Sequence, residues 1–428
     1  MLKQKIENRS AHIGVVGLGY VGLPLALRFS AVGFKVTGFD VDASKPDQLA
    51  LGHSYISHIQ NEEIRVATDR GFNATTDYNL AHELDVIIIC VPTPLTPERE
   101  PDLQYIRGTV ESLLPNLRKN QLICLESTSY PGTTEEEIQE KLEAAGFVVG
   151  GDIFVAYSPE REDPGNPEHS ISTIPKIVSG CSDTCLELAS CLYESAVKTV
   201  VPVSSTRVAE AAKLLENIHR AVNIGLVNEM KIVADAMNID IYEVIEAASS
   251  KPFGFTPYFP GPGLGGHCLP IDPYYFSWKA KQYGVDSEFI RLAGEVNSEM
   301  PAWVVSKVVT ALHPNPIDEC KVLVIGAAYK KNIGDTRESP AMEIMDQLIR
   351  LGADVAYHDP YVPVLSPMRK YNLELHSTAC DENSLSHADV VIIVTNHDNL
   401  DYELILQHSN LIVDTRGVFK PDNKVISA

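Results

Sequence analysis

An α/β chain, with two doubly wound parallel-sheet domains joined by a long central helix, is the fold that three features of this sequence predict. A strand, a glycine turn, a helix and a second strand run from Ile13 to an acid at Asp40. The last third of the chain repeats that plan between Val322 and Asp359. Between the two, Ser205–Asn238 has no proline and only Gly225 as an internal breaker, so it reads as one helix. The expected parts are residues 1–204, a first Rossmann-like domain; 205–312, a helical middle carrying a cysteine loop; and 313–428, a second Rossmann-like domain.

The first strand, Ile13–Val16, leads straight into Gly17-Leu18-Gly19-Tyr20-Val21-Gly22. An amphipathic helix over Leu23–Val32 then stops at Gly33, and Lys35–Phe39 forms the second strand. A GxGxxG alone is a weak signal, but between a strand and a helix it is strong. Gly17 makes the tight turn, Gly19 lets a pyrophosphate reach backbone N–H groups, and Gly22 lets the helix pack on the strand. Asp40 suits the two ribose hydroxyls and would repel a 2′-phosphate, which favours NAD over NADP. Apolar runs at Val86–Val91, Leu122–Glu126 and Ile153–Ala156 extend a parallel sheet.

In the C-terminal third, Val322–Ile325 ends at Gly326, a helix spans Pro340–Leu351, and Val355–His358 leads to Asp359. Ala388–Val394 and Leu411–Asp414 echo the strands of the first half. The turn Gly326-Ala327-Ala328-Tyr329 lacks GxGxxG, so it is not expected to hold a dinucleotide in the same way. Its loop carries Lys330, Lys331, Asp335, Arg337 and Glu338, either solvated surface or an anion site at the sheet's C-terminal edge.

On the middle helix, Leu214, Ile218, Val222 and Leu226 recur at four-residue spacing and predict one apolar stripe. Glu210, Lys213 and Asn217 lie on a neighbouring polar face. That face either meets solvent or borders the cleft between domains, where small-molecule sites usually lie. Apolar residues on more than one face suggest a partner surface, hence a homodimer or higher homo-oligomer.

The loop Gly263-Leu264-Gly265-Gly266-His267-Cys268-Leu269-Pro270, followed by Ile271-Asp272, places a cysteine behind glycines and a carboxylate four residues on. The glycines are expected to clear a path for a substrate carbon to the sulfur; the alternative is a Gly/Pro turn that carries a core cysteine. A nucleophilic cysteine beside an NAD domain suits oxidation of an alcohol through the aldehyde to an acid. The thiolate adds to the aldehyde, the thiohemiacetal is oxidised to a thioester, and water releases the acid. An oxyanion donor and a base are then needed, and Lys213, Asn217 and Asp272 are of the right types.

Composition sets limits. The 428 residues, 44% hydrophobic and 21% charged, are those of a globular protein. A net charge of −22 argues against nucleic acid or an anionic membrane as partner. No signal peptide is expected from Met1–Lys5, no apolar run is long enough to span a membrane, and the eight cysteines show no zinc spacing, so no metal is expected. Cys181, Cys185 and Cys191 read as core residues of one amphipathic segment. A cytoplasmic location is the expectation.

With these residues in view, the chain resembles the UDP-glucose/GDP-mannose dehydrogenase family, NAD-dependent four-electron oxidants of nucleotide sugars, from Ile13 to Phe419. The motifs that carry the resemblance are GLGYVGLPLA at Gly17–Ala26, ESTSYPGTT at Glu126–Thr134, YSPER at Tyr157–Arg161, EAAKLLEN at Glu210–Asn217, GGHCLPID at Gly265–Asp272 and AYKKNIGDTRES at Ala328–Ser339. The resemblance implies that Cys268 is the nucleophile and that Lys213 and Asn217 hold the oxyanion. Asp272 and Thr128 would position and activate water, and Glu160 would assist hydrolysis and bind sugar. Tyr20, Val21, Pro92, Thr93 and Thr128 would line the cofactor side, with Arg337 near it. Arg161, Tyr258, Gly265, Lys330 and Arg416 would face the UDP-sugar.

Departures point to the substrate. The glucose branch has a loop resembling GGSCFxKD, whereas this chain has His267 for the serine and Ile271 for the lysine. GPGLGGHCLPIDPYYFSWKA looks most like the branch that oxidises UDP-N-acetylglucosamine at C6 for surface polysaccharides. Loss of a charge there suits an acetamido group. The arginine that the glucose branch places before the cysteine loop, reaching a neighbouring subunit, is not evident. The same chemistry on UDP-glucose or UDP-N-acetylmannosamine, a two-electron hydroxyacid dehydrogenase, and a non-catalytic NAD-binding sensor stand as alternatives.

Overall fold

The structure, a computed structural model, describes residues 2–56, 59–161, 171–266, 269–365 and 370–428. The chain divides into two compact units: Met1–Glu216 with Tyr274–Val285, and Asn217–Pro273 with Asp286–Ala428. The central helix, Thr206–Ala236, runs through the boundary.

In the first unit the strands are β1 (His12–Val16), β2 (Lys35–Phe39), β3 (Asn73–Thr75), β4 (Val86–Ile89), β5 (Leu122–Leu125), β6 (Phe154–Tyr157), β7 (Lys176–Gly180) and β8 (Val200–Pro202). Their order is β3-β2-β1-β4-β5-β6-β7-β8. From β3 to β6 every pairing is parallel, so the sequence's expectation of a parallel sheet holds through β6. β7 then pairs antiparallel with β6. This reversal had no sequence signal.

Strand order reverses between β1 and β4, which places the C-terminal ends of both at the crevice where such sheets bind ligands. Ile13, Val15, Leu23, Leu25, Phe29 and Ile88 belong to one buried cluster, so the helix Gly22–Ala31 covers one sheet face. Cys185 is fully buried in the helix Asp183–Glu194. Cys181 precedes that helix, and both it and Cys191 are only half-buried, so the three do not form one core stripe.

In the second unit β9 (Lys321–Ile325) and β10 (Asp354–His358) join β13 (Val390–Ile393), β14 (Ile412–Asp414) and β15 (Val425–Ser427) in a parallel sheet of order β10-β9-β13-β14-β15. A small antiparallel pair, β11 (Val364–Leu365) and β12 (Leu375–His376), forms a separate ladder that packs beside β10. Val322 and Val324 enter one core cluster while Leu323 and Ile325 enter another. That alternation means both faces are covered, as a doubly wound sheet requires.

The central helix differs from its predicted pattern. Leu214 is buried but Leu226 is 55% exposed. Four-residue steps advance 400° around a helix of 3.6 residues per turn, so the stripe rotates out of the core by about 40° per step. The buried line instead runs through Glu210, Lys213, Asn217, Ala221, Asn228, Lys231 and Ala234. The polar face is therefore turned inward. Gly225 is the close-approach point: a Cβ there would stand 3.2 Å from Ala293 on the helix Glu288–Leu312. Beside it Asn228 Nδ2 donates to Asn297 Oδ1 at 2.9 Å.

Candidate active site

The glycine turn is built as its spacing predicts. Gly17 has φ +92°, and a Cβ on it would lie 2.5 Å from the Cys90 carbonyl oxygen. A Cβ on Gly22 would lie 1.8 Å from the Gly17 oxygen. Nothing comes within 4 Å of the Cβ position at Gly19, which leaves that side open to a ligand. The helix Gly22–Ala31 has no side-chain cap at Val21, so its first N–H groups favour an anion. Tyr20 is partly exposed on this turn. Across the switch point Pro92 is exposed and Thr93 is buried, just beyond β4.

Asp40 ends β2 with one oxygen accepting from Leu18 N at 2.9 Å and from Lys45 Nζ at 2.7 Å. The other accepts from Asp42 N at 3.0 Å. Each carboxylate oxygen has two lone pairs, so Asp40 Oδ1 keeps room for one ribose hydroxyl. Lys45 went unread in the sequence, although it lies only five residues on. The open glycine turn, the uncapped helix and the terminal acid fit NAD.

The second unit's counterpart is built differently. Asp359 is fully buried, and Oδ2 accepts from Ala327 N at 2.7 Å, Ala328 N at 2.9 Å and His397 Nε2 at 3.0 Å. Its Oδ1 takes Tyr361 N and Val362 N. Five donors occupy this acid and tie it to its own turn. His397 Nδ1 accepts from Asn332 N at 2.9 Å, so the ring is the neutral tautomer with hydrogen on Nε2.

Around the loop after β5, Lys213 Nζ donates to Thr128 Oγ1 at 2.9 Å, with both residues buried. One turn before Lys213, Glu210 accepts from Gly132 N at 2.6 Å, Thr134 N at 2.9 Å and Thr134 Oγ1 at 2.7 Å. Burial pushes the Glu210 carboxyl up to about 7, against the pull of those donors. Glu210 thus clamps the ESTSYPGTT loop to the central helix, and Lys213 reaches its threonine.

In the second unit Asn217 Nδ2 donates to Asp272 Oδ2 at 2.5 Å, while Arg220 donates to Asn217 Oδ1. The two bonds fix which way the amide faces. Asp272 opens the helix Asp272–Gln282 and is fully buried. Arg220 was not singled out in the sequence; its i+3 spacing from Asn217 was the available signal.

His267 and Cys268 lie outside the described residues. The glycines before them make a close approach of their own. A Cβ on Gly265 would stand 2.5 Å from Tyr329 Cβ, and one on Gly266 would stand 2.9 Å from the Tyr329 ring. Gly266 N also donates to Arg337 O at 2.9 Å. The Tyr329–Pro340 segment packs on the backbone at both positions, which leaves no room for a side chain.

The charged loop is largely ion-paired, with one pair inside the loop and two to other segments. Lys331 bonds Asp398, Arg337 forks onto Asp335, and Glu338 holds Lys370. Lys330 is half-buried on the same loop. Arg416 donates from Nε to Val394 O at 2.7 Å and packs over Gly261. Tyr258 bonds His219 at 2.9 Å. In the first unit Arg161 forks onto Glu216, at 2.5 and 3.0 Å, and donates to Pro175 O. Glu160 Oε1 accepts from Arg161 N at 2.6 Å.

A glycine turn and acid of this build, with a lysine, asparagine and aspartate of this chemistry, define an NAD-dependent oxidoreductase. The chain belongs to the UDP-glucose/GDP-mannose dehydrogenase family: its NAD binding domain matches residues 11–197, its central domain 207–299 and its UDP binding domain 323–421. It is therefore a nucleotide-sugar dehydrogenase that takes a UDP-sugar. It is 37% identical to UDP-N-acetyl-D-glucosamine 6-dehydrogenase of Pseudomonas aeruginosa, over 84% of this chain and 85% of that protein. It is 33% identical to UDP-N-acetyl-D-mannosamine dehydrogenase of Methanocaldococcus jannaschii, over 98% and 95%. Among solved structures, UDP-D-ManNAc dehydrogenase of Pyrococcus horikoshii superposes with a TM-score of 0.86 at 32% identity, over 96% of each chain.

Proposed function

We propose that this chain oxidises C6 of UDP-N-acetyl-D-glucosamine to the uronic acid in two NAD-dependent steps, as a supply of acidic sugar for surface polysaccharide. The observation that carries the chemistry is the buried Lys213–Thr128 pair, an ammonium fixed beside a hydroxyl in the wall of the NAD-binding unit. The sugar rests on Ile271 in place of a lysine and on the 37% identical relative named for that substrate.

Bound NAD supplies the hydride acceptor for each oxidation. The chain's residues do the rest. Cys268 as thiolate adds to the C6 aldehyde, and the new alkoxide is held by Lys213 and by the Asn217 amide. After the second oxidation the C6 carbon is a thioester on Cys268. Asp272, aided by Thr128 and Glu160, takes a proton from water; the hydroxide adds to the carbonyl, the C–S bond breaks, and the acid leaves with the thiolate restored. Lys330 and Arg416 are assigned to the UDP, and Arg161, Tyr258 and Gly265 to the sugar side; Arg337 is assigned near the cofactor.

The test is a panel of UDP-sugars read as NADH formed per sugar. The expected result is two NADH per UDP-N-acetylglucosamine, with Cys268→Ala forming no acid. One NADH per sugar, or an active Cys268→Ala enzyme, overturns the four-electron scheme. The same chemistry on UDP-N-acetylmannosamine is favoured by the Pyrococcus horikoshii structure, and a preference for that epimer in the panel would decide for it. We also propose a cytoplasmic homodimer; among the described residues no helix is long and apolar enough to cross a membrane.

A further inference from the structure

Behind Glu160 lies a line of buried polar groups that the scheme above does not use. Glu126, just beyond β5, is 1% exposed, and its Oε1 accepts from Tyr193 OH at 2.5 Å. Its Oε2 accepts from Lys176 Nζ at 2.7 Å. Lys176 opens β7, is also buried, and its Nζ lies 3.3 Å from Glu160 Oε2. Tyr193 OH gives its one hydrogen to Glu126, so the 3.1 Å contact with Cys124 has the thiol as donor. Burial pulls the Lys176 value down, and the two carboxylates, Glu126 foremost, outweigh it and keep the group charged.

Two acids and one ammonium inside a sheet wall are a poor way to stabilise a fold, since apolar residues of similar volume commonly do as well or better. What the line has is a direction. Glu126 and Tyr193 are sealed from solvent, and the line ends on Lys176 and Glu160, whose side chains are 9% and 13% exposed. Its carboxylate is held at both oxygens, by the Arg161 amide on one side and the Lys176 ammonium on the other. That fixes the plane of the group.

We propose that Lys176, backed by Glu126, is a positioning residue that holds the Glu160 carboxylate in the orientation used for thioester hydrolysis. This rests on the role proposed for Glu160, and it adds a residue to which the sequence assigned nothing. Lys176 touches Glu160, not the substrate.

The experiment is rapid-mixing and steady-state kinetics on the UDP-sugar that the panel selects. Lys176→Met is expected to keep the first-turnover burst of NADH and to lower steady-state kcat by about 10- to 100-fold, the scale of a misplaced group. KM should stay within about twofold, and Lys176→Arg should restore most of kcat, because a cation again faces Glu160. If Lys176→Met fails to fold, the double variant Glu126→Gln/Lys176→Met removes the buried charge imbalance. It should fold and still show the burst with slow turnover. Recovery of kcat in that double variant would overturn the proposal, since Lys176 would then matter only for folding. Glu160→Gln, run in parallel, separates the two ideas. If it is slow while the double variant is fast, only the Lys176 proposal fails; if it turns over normally, or no UDP-sugar is oxidised, the Glu160 reading fails and takes the proposal with it.

Discussion

Glu210 is a carboxylate whose value lies in what it holds. It takes two backbone N–H groups and a hydroxyl from the loop that carries Thr128. In Glu210→Gln an amide NH2 must replace one acceptor oxygen, leaving a buried N–H unpaired at a cost of about 1–3 kcal/mol, readable by urea unfolding. The same residue gives a pH signature. Its folded value, about 7, is above the ordinary 4.5, so the folded state binds the extra proton between those values. This contribution is complete below pH 4.5 and is lost as pH rises through 7, a fall of roughly 3 kcal/mol. Glu210→Gln should flatten that part of the stability curve; an unchanged slope would show that another group sets it. Lys213→Met belongs to the same scale. It should fold, bind NAD normally, and lose about 100- to 1,000-fold in kcat, the usual cost of removing an oxyanion donor, the role proposed for Lys213. The types of these residues were readable from EAAKLLEN. Their burial was not, because a polar helix face looks alike whether it meets water or a loop that satisfies it.

The glycine turn is the element where spacing translated most directly into geometry, and its second and third glycines make separable predictions. Gly22→Ala puts a methyl 1.8 Å from a carbonyl oxygen, so the helix must shift from the strand. Its melting temperature should fall, along with NAD affinity. Gly19→Ala meets open space, so stability should stay within about 0.5 kcal/mol, while NAD binding weakens because the methyl stands where the pyrophosphate comes in. Loss of stability in Gly19→Ala would remove the reason given for that glycine. The cysteine loop teaches the opposite lesson. Its glycines were legible as a special backbone, but their cause, Tyr329 packed on Gly265 and Gly266, comes from more than sixty residues away. No local pattern carries such a contact.

At the scale of the whole molecule, Leu226, Met230 and Val233 on the central helix and Met237 just beyond its end are all at least 44% exposed, at four- and three-residue steps. That is one continuous apolar strip on the side away from the buried line. The proposed homodimer would cover it. Sedimentation should give about twice the mass of one 46.9 kDa chain, and Met230→Glu with Val233→Glu should give monomers. A wild-type monomer would sink the proposal.

Strand–glycine–helix periodicity and the acids at Asp40 and Asp359 were enough to read the two sheets and the NAD site, because a strand's apolar run and the turn after it are written in consecutive residues. The antiparallel turn to β7, the pairing of Asp40 with Lys45, the inward roll of the central helix and the Lys176–Glu126 line came only with the folded molecule. The inward roll and the Lys176–Glu126 line depend on which polar groups are removed from water together. Removal from water is a property of packing between distant segments, and a side chain's identity does not carry it.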